Sequence, residues 1–138
     1  MATQAADPSA GPGRARKASP LRICIVSSVG GHLREVLELW PALAGAEVFF
    51  VLNDRSELTL PAPHFQITHA ERDPRVLLNL VELWQLFRRT GWPDVILSTG
   101  AGPAVPAALL AKLRGAEVIF YETFGAVEQP SLTGRLLY

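Results

Sequence analysis

LRICIVSSVGGHLREVLEL, residues 21–39, contains the change of period on which the fold turns. Residues 21–28 are a short apolar, β-branched run, the composition of a strand buried on both faces of a parallel sheet. The run stops at Gly30-Gly31, and beyond it Leu33, Val36, Leu37, Trp40 and Leu43 recur at the three- and four-residue spacing that predicts a helix. A strand that passes through a glycine turn into a helix opens a βαβ unit.

The same alternation continues to the end of the chain. Ala46–Leu52, AEVFFVL, reads as a second strand, and Phe65–Thr68 as a weaker third one after the Pro61–Pro63 turn. A helix is predicted from about Pro74 to Thr90, with the proline suited to its first turn. Asp94–Ser98 is a fourth strand, Pro103–Arg114 an alanine- and leucine-rich helix closed by Gly115, and Glu117–Tyr121 a fifth strand. Strands alternating with helices imply right-handed crossovers, so the expected fold is α/β: a Rossmann-like, doubly wound parallel sheet in the order 3-2-1-4-5. In that order strands one and four lie side by side at the topological switch point, and the loops that follow them open into one crevice.

Composition excludes several classes of function. Of the 138 residues 49% are hydrophobic and 19% charged, yet no apolar run has bilayer-spanning length, so the chain is not expected to cross a membrane by itself. Thirteen Lys and Arg balance thirteen Asp and Glu, and no basic stripe alternates with aromatics, which leaves nucleic acid without an electrostatic footprint. The only cysteine, Cys24, sits in an apolar run without a disulfide partner, compatible with a reducing cytoplasm. Residues 1–20 lack the apolar core of a signal peptide and read as a disordered tail, leaving residues 21–138 as the domain.

The two glycine loops carry the chemistry. In SSVGGH, Ser28, Gly30 and Gly31 precede a helix whose first amides point outward unpaired, an arrangement that an anion, most often a phosphate, satisfies. STGAGP repeats the device after the fourth strand: Gly100 and Gly102 permit close approach around Ala101, and Ser98 and Thr99 offer hydroxyl donors. A tight turn uses the same glycines, and only the pairing of the loops points beyond it. His32, at the helix start, is placed to donate to phosphate or to act as a general base; a capping or surface histidine is the plainer alternative. Glu122 follows the fifth strand on the side where open α/β sheets bind ligands, as a sugar contact or an ordinary loop carboxylate.

The helix VLLNLVELWQLFRR, residues 76–89, has a polar face of Asn79, Glu82, Gln85, Arg88 and Arg89 on which Leu78 and Leu86 intrude. Core packing accounts for Leu77, Leu80, Trp84 and Phe87. The surplus leucines beside Arg88 and Arg89 point to a membrane-surface or partner contact. No His/Cys cluster or Asp-x-Asp pair is present, so neither metal nor cofactor is expected. A dinucleotide oxidoreductase is disfavoured, since the first loop lacks a full GxGxxG and Asn53-Asp54 is a weak ribose match.

Three stretches, ICIVSSVGGHLREVLEL, PDVILSTGAGPAVPAALLAKLRGAEVIFYETF and QPSLTGRLLY, cover most of residues 22–138. They resemble the family of the anchoring subunit of the dolichol-linked oligosaccharide N-acetylglucosaminyltransferase and its bacterial exopolysaccharide relatives of the PssD and CpsF type. PSLTGRLLY is the most specific, because nothing in Rossmann physics requires it. The resemblance implies the N-terminal half of a GT-B glycosyltransferase like MurG, with the donor-binding half on a separate subunit. It further implies a polyprenyl-diphosphate-linked glycan as acceptor, a UDP-sugar reached through the partner, and a peripheral place at the cytoplasmic face of the plasma membrane. By the same resemblance the acceptor diphosphate meets Gly30, Gly31 and His32, then Thr99, Gly100, Ala101 and Gly102, and Glu122. Eukaryotic members carry an N-terminal membrane helix that this sequence does not show, so the bacterial type is expected, and the segment that usually follows PSLTGRLLY is missing. A non-catalytic scaffold that only recruits the transferase is the alternative.

Overall fold

The computed structural model describes residues 19–53, 59–68, 74, 76–100 and 102–121. Five parallel strands, β1 (Arg22–Ser27), β2 (Glu47–Leu52), β3 (His64–Gln66), β4 (Val95–Ser98) and β5 (Glu117–Phe120), form one sheet in the order β3-β2-β1-β4-β5. The helices α1 (Gly31–Glu38), α2 (Val76–Thr90) and α3 (Ala104–Leu113) connect them. This is the topology expected from the alternation of periods. The register puts Ile25 of β1 beside Phe50 of β2 and Leu97 of β4, so the central strand is hydrogen-bonded on both sides.

Strand alternation divides β1 between two cores. Ile23 and Ile25 pack with Phe50, Leu52, Leu33 and Val36 under α1, whereas Cys24 and Val26 pack with Phe49, Ile96, Leu83 and Phe87 under α2 and α3. Successive side chains leave opposite faces of a strand, so a nearly unbroken apolar run is what a sheet covered on both sides demands. Alanines 104, 107, 108 and 111 of α3 are buried, and their small side chains let this helix lie close to the sheet. Cys24 is fully buried, and loss of solvation pushes its thiol well above the ordinary range, which keeps it protonated and inert.

The first helix is shorter than its periodicity suggests. It ends at Glu38, and Trp40–Leu43 form a separate 3-10 turn. Pro41 is the reason, because it brings no N–H to the α-helical ladder and its ring clashes with the preceding turn.

The orientation of α2 departs from the sequence reading. Asn79, Leu83 and Phe87 form its buried face, and Leu86 packs partly buried against the same core, so Leu86 does not belong to an exposed contact face. Leu77 and Trp84, assigned to the core by pattern, are instead 65% and 42% exposed, alongside Leu78 at 54% and Val81 at 52%. A helix apolar around most of its circumference has no unique phase, and its neighbours set the rotation. Phe87 meets Phe49 edge-on at 6.3 Å and Trp92 at 5.5 Å, while the Glu82 carboxylate accepts from the Thr68 amide at 3.0 Å and hydroxyl at 2.6 Å. Among the described residues no helix is long and apolar enough to cross a membrane.

Asn79, expected on the polar face of the helix, is instead fully buried, and among the described residues neither its Oδ1 nor its Nδ2 has a hydrogen-bond partner. A buried amide without partners forfeits its hydration, at about 1–3 kcal/mol. Asn79→Leu, close in volume, is therefore expected to raise the stability of the chain by about that amount in a denaturant melt. A loss of stability would mean that the amide is satisfied in solution.

Candidate functional site

The register pairs Val26 with Ser98, so the carboxyl ends of β1 and β4 lie next to each other and both glycine loops leave the sheet at that point. Ser98 is fully buried and ties the two strands together. Its hydroxyl donates to the Val26 carbonyl at 2.7 Å and accepts from the Gly100 amide at 3.2 Å. Thr99, also buried, donates its hydroxyl to the His32 carbonyl at 3.2 Å. The hydroxyls read as ligand donors are thus spent inside the fold: Ser98 shapes its own loop, and Thr99 fastens that loop to the start of α1. Backbone amides remain as the donors that face outward.

Gly30 caps α1 with φ 122° and ψ −141°, a conformation that side-chain-bearing residues rarely adopt. A Cβ at Gly30 would meet nothing within 4 Å, so the backbone conformation, and not crowding, requires glycine there. No side chain caps α1, which leaves its first amides directed at the space above the loop. Helix α3 starts in a similar way: Pro103 is its N-cap residue, no side chain caps it, and Pro106 in its first turn has no amide to satisfy. Ser28 and Gly102, at the margins of the two loops, are half-buried, and Gly31 is exposed.

Between the loops stands His32. Gly100, at φ 112°, is near enough that a Cβ built on it would lie 3.8 Å from the His32 ring carbon Cε1 and 3.9 Å from Phe120. The imidazole is half-buried, and its Nδ1 is enclosed without a hydrogen-bond partner. Buried polar atoms are nearly always paired, so an unpaired ring nitrogen beside two helix starts is the mark of a group kept for a ligand or a proton. One turn further along α1, the Oε2 of Glu35 is likewise buried and unpartnered. Glu35 escaped the sequence reading because a carboxylate in the middle of an amphipathic helix looks like an ordinary solvated residue. Its spacing of three from His32 is the signal that was present.

The structure places Gly30, Gly31, His32, Thr99 and Gly100 close together, while the Ser98 and Thr99 hydroxyls, expected to face a ligand, donate to the Val26 and His32 carbonyls instead. Ala101 and Glu122 lie outside the described residues. Asn53 is buried at the end of β2. At the other end of the sheet, an open cavity of about 980 Å³ is lined by the amino ends of the strands, including Leu21, Asp94 and Glu117, with Arg114 and Gly115 after α3. The amino termini of α1 and α3 lie at the opposite edge, and ligands of open α/β sheets bind at the carboxyl ends of the strands, so the glycine loops are the candidate site.

No protein-family model matches the chain. It is 27% identical over 154 residues to the human UDP-N-acetylglucosamine transferase subunit ALG14, across 86% of this chain and 71% of that protein. It is 31% identical over 117 residues to the UDP-N-acetylglucosamine–N-acetylmuramyl-(pentapeptide) pyrophosphoryl-undecaprenol N-acetylglucosamine transferase of Prochlorococcus marinus (strain MIT 9211), across 70% of this chain and 31% of that enzyme. Among solved structures, the UDP-GlcNAc 2-epimerase of Methanocaldococcus jannaschii superimposes with a TM-score of 0.60 at 16% identity, covering 85% of this chain and 36% of the epimerase. That likeness shows the Rossmann-like α/β fold alone. Both relatives support the suspected family, one being a UDP-N-acetylglucosamine transferase subunit matched over most of this chain and the other a MurG-like bacterial enzyme.

Proposed function

We propose, from the kinship of this chain with UDP-N-acetylglucosamine transferase subunits, that it is the acceptor-binding and membrane-recruiting subunit of a two-component UDP-sugar glycosyltransferase. The acceptor is a polyprenyl-diphosphate-linked glycan, and the nucleotide sugar is held by a separate donor-binding GT-B half. One observation carries the reading: the loops after β1 and β4 converge, with the His32 imidazole between them and its Nδ1 unpaired.

In the reaction the acceptor hydroxyl oxygen bonds to the anomeric carbon as the bond from that carbon to UDP breaks, and the hydroxyl proton must leave. The outward amides of α1 and α3 take the acceptor diphosphate, since the positive ends of two helix dipoles favour an anion there. Such a bound anion fixes where the acceptor hydroxyl sits, and holding reactants in place is a large part of catalysis. His32 stands beside the same space, placed to accept the proton or to donate to a phosphate oxygen.

His32→Ala is expected to lower transfer by the assembled two-subunit enzyme by about 10²-fold or more, with the fold intact. A fall in kcat at unchanged KM for acceptor assigns the proton to His32, and a rise in KM assigns it to the phosphate. Full activity in this variant would leave a scaffold that only recruits the transferase.

Recruitment falls to the outward face of α2. Leu77, Leu78, Val81 and Trp84 are exposed there, followed by Arg88 and Arg89, with the Arg88 guanidinium over the Trp84 ring at 4.8 Å. The neighbouring α3 adds exposed Leu109 and Leu113 beside Lys112 and Arg114. Apolar side chains bordered by cations suit an anionic bilayer surface, which supports reading the chain as a peripheral protein on the cytoplasmic face.

A further inference from the structure

We propose that Glu35 is a positioning residue for His32: its carboxylate accepts a hydrogen bond from the imidazole Nδ1–H and leaves the Nε2 lone pair facing the crevice. The inference rests on the role given to His32 above.

Two observations meet on α1. The Nδ1 of His32 and the Oε2 of Glu35 are both enclosed, and neither has a partner. One is a ring nitrogen that donates a hydrogen bond when it carries the proton, and the other is a carboxylate oxygen that accepts one. Each has lost its water and gained nothing in exchange, which is the least stable arrangement for either.

Helix geometry makes them neighbours. Residues three apart lie one above the other on an α-helix, with Cβ atoms about 5–6 Å apart. Leu33 and Val36 point into the core, so His32 and Glu35 share one flank of α1. At its His32 end that flank meets the loop after β4, where the Thr99 hydroxyl bonds to the His32 carbonyl and Gly100 lies near the imidazole ring. The proposed pair forms by rotation about the side-chain torsions of Glu35, with the helix backbone left in place. The hydrogen bond made by one ring nitrogen decides which tautomer the other presents. With Nδ1–H bonded to Glu35, Nε2 is the acceptor, the form needed to take a hydroxyl proton.

The tautomer is read directly from the ¹⁵N shifts of the His32 ring in the full chain, with no partner or substrate needed. The expected result is a predominant Nδ1–H form in the wild type that is lost in Glu35→Ala and largely retained in Glu35→Gln, whose amide oxygen still accepts. In the two-subunit enzyme, Glu35→Ala is expected to lower kcat by about 10- to 100-fold at unchanged acceptor KM, with Glu35→Gln within a few-fold of wild type. An unchanged His32 tautomer in folded Glu35→Ala overturns the proposal. So does full activity of Glu35→Ala in an enzyme that His32→Ala disables. If His32→Ala is itself fully active, the function proposed for the crevice fails, and the tautomer still decides whether the pair exists.

Discussion

Given UDP-N-acetylglucosamine and a polyprenyl-diphosphate-linked acceptor, the purified chain is expected to form no product above background, and addition of the proposed donor-binding subunit is expected to give transfer. The described residues make one sheet with one crevice at its carboxyl edge, and both helix starts there suit the same kind of group, an anion. Among the described residues, that edge offers no second site that would hold a nucleotide sugar in line with the acceptor. Aligning two reactants accounts for roughly 7–11 kcal/mol of a barrier, and a half-site that fixes only one reactant forgoes most of that. The expected difference between the chain alone and the pair is therefore about 10⁵-fold or more, close to all or none. Radiolabelled sugar transfer into the lipid fraction measures it. Turnover by the isolated chain at a rate near that of the pair would refute the two-component reading.

Retention on membranes is the second large effect. The chain is expected to sediment with vesicles rich in anionic lipid at low salt, and the triple variant Leu77→Ser, Val81→Ser, Trp84→Ser to remain in the supernatant. Full burial of such side chains is worth about 1.5–3 kcal/mol each, and these are already partly covered, so about 3 kcal/mol for the three is a fair expectation. That corresponds to more than about a hundredfold in partitioning. Arg88 and Arg89 add about 1 kcal/mol each near an anionic surface, a contribution that salt screens. They also sit in the last turn of α2, where cations complement the helix dipole, so their replacement should cost some stability as well as binding. Leu86→Ser serves as the contrast: Leu86 packs against the core, and its loss should destabilise the fold without acting on the surface directly. Failure of anionic vesicles to retain the wild-type chain would remove the membrane role and leave the apolar face of α2 to a protein partner.

The strands, the order β3-β2-β1-β4-β5 and the convergence of the two glycine loops were legible in the sequence. Each depends on local period and on chain connectivity. LRICIVSS can only be a strand buried on both faces, glycines 30 and 31 end it, and the right-handedness of crossovers then fixes which strands are neighbours. Even the early end of α1 was written in Pro41. The rotation of α2 was not, because Leu77, Leu78, Leu80, Val81, Leu83, Trp84, Leu86 and Phe87 surround the helix and period without contrast does not determine phase. Phe49, Trp92 and Thr68, from three other parts of the chain, determined it. The same holds at the site. That Ser98 and Thr99 carry hydroxyls is a fact of sequence, but their bonds to the Val26 and His32 carbonyls join residues 72 and 67 positions apart. A hydroxyl satisfies whichever acceptor packing brings to it, and only the assembled sheet brings those carbonyls close enough to compete with a ligand. For the same reason the enclosed, unpaired atoms of His32 and Glu35 are a property of the assembled chain, because burial depends on what packs around α1 and not on the order of its residues.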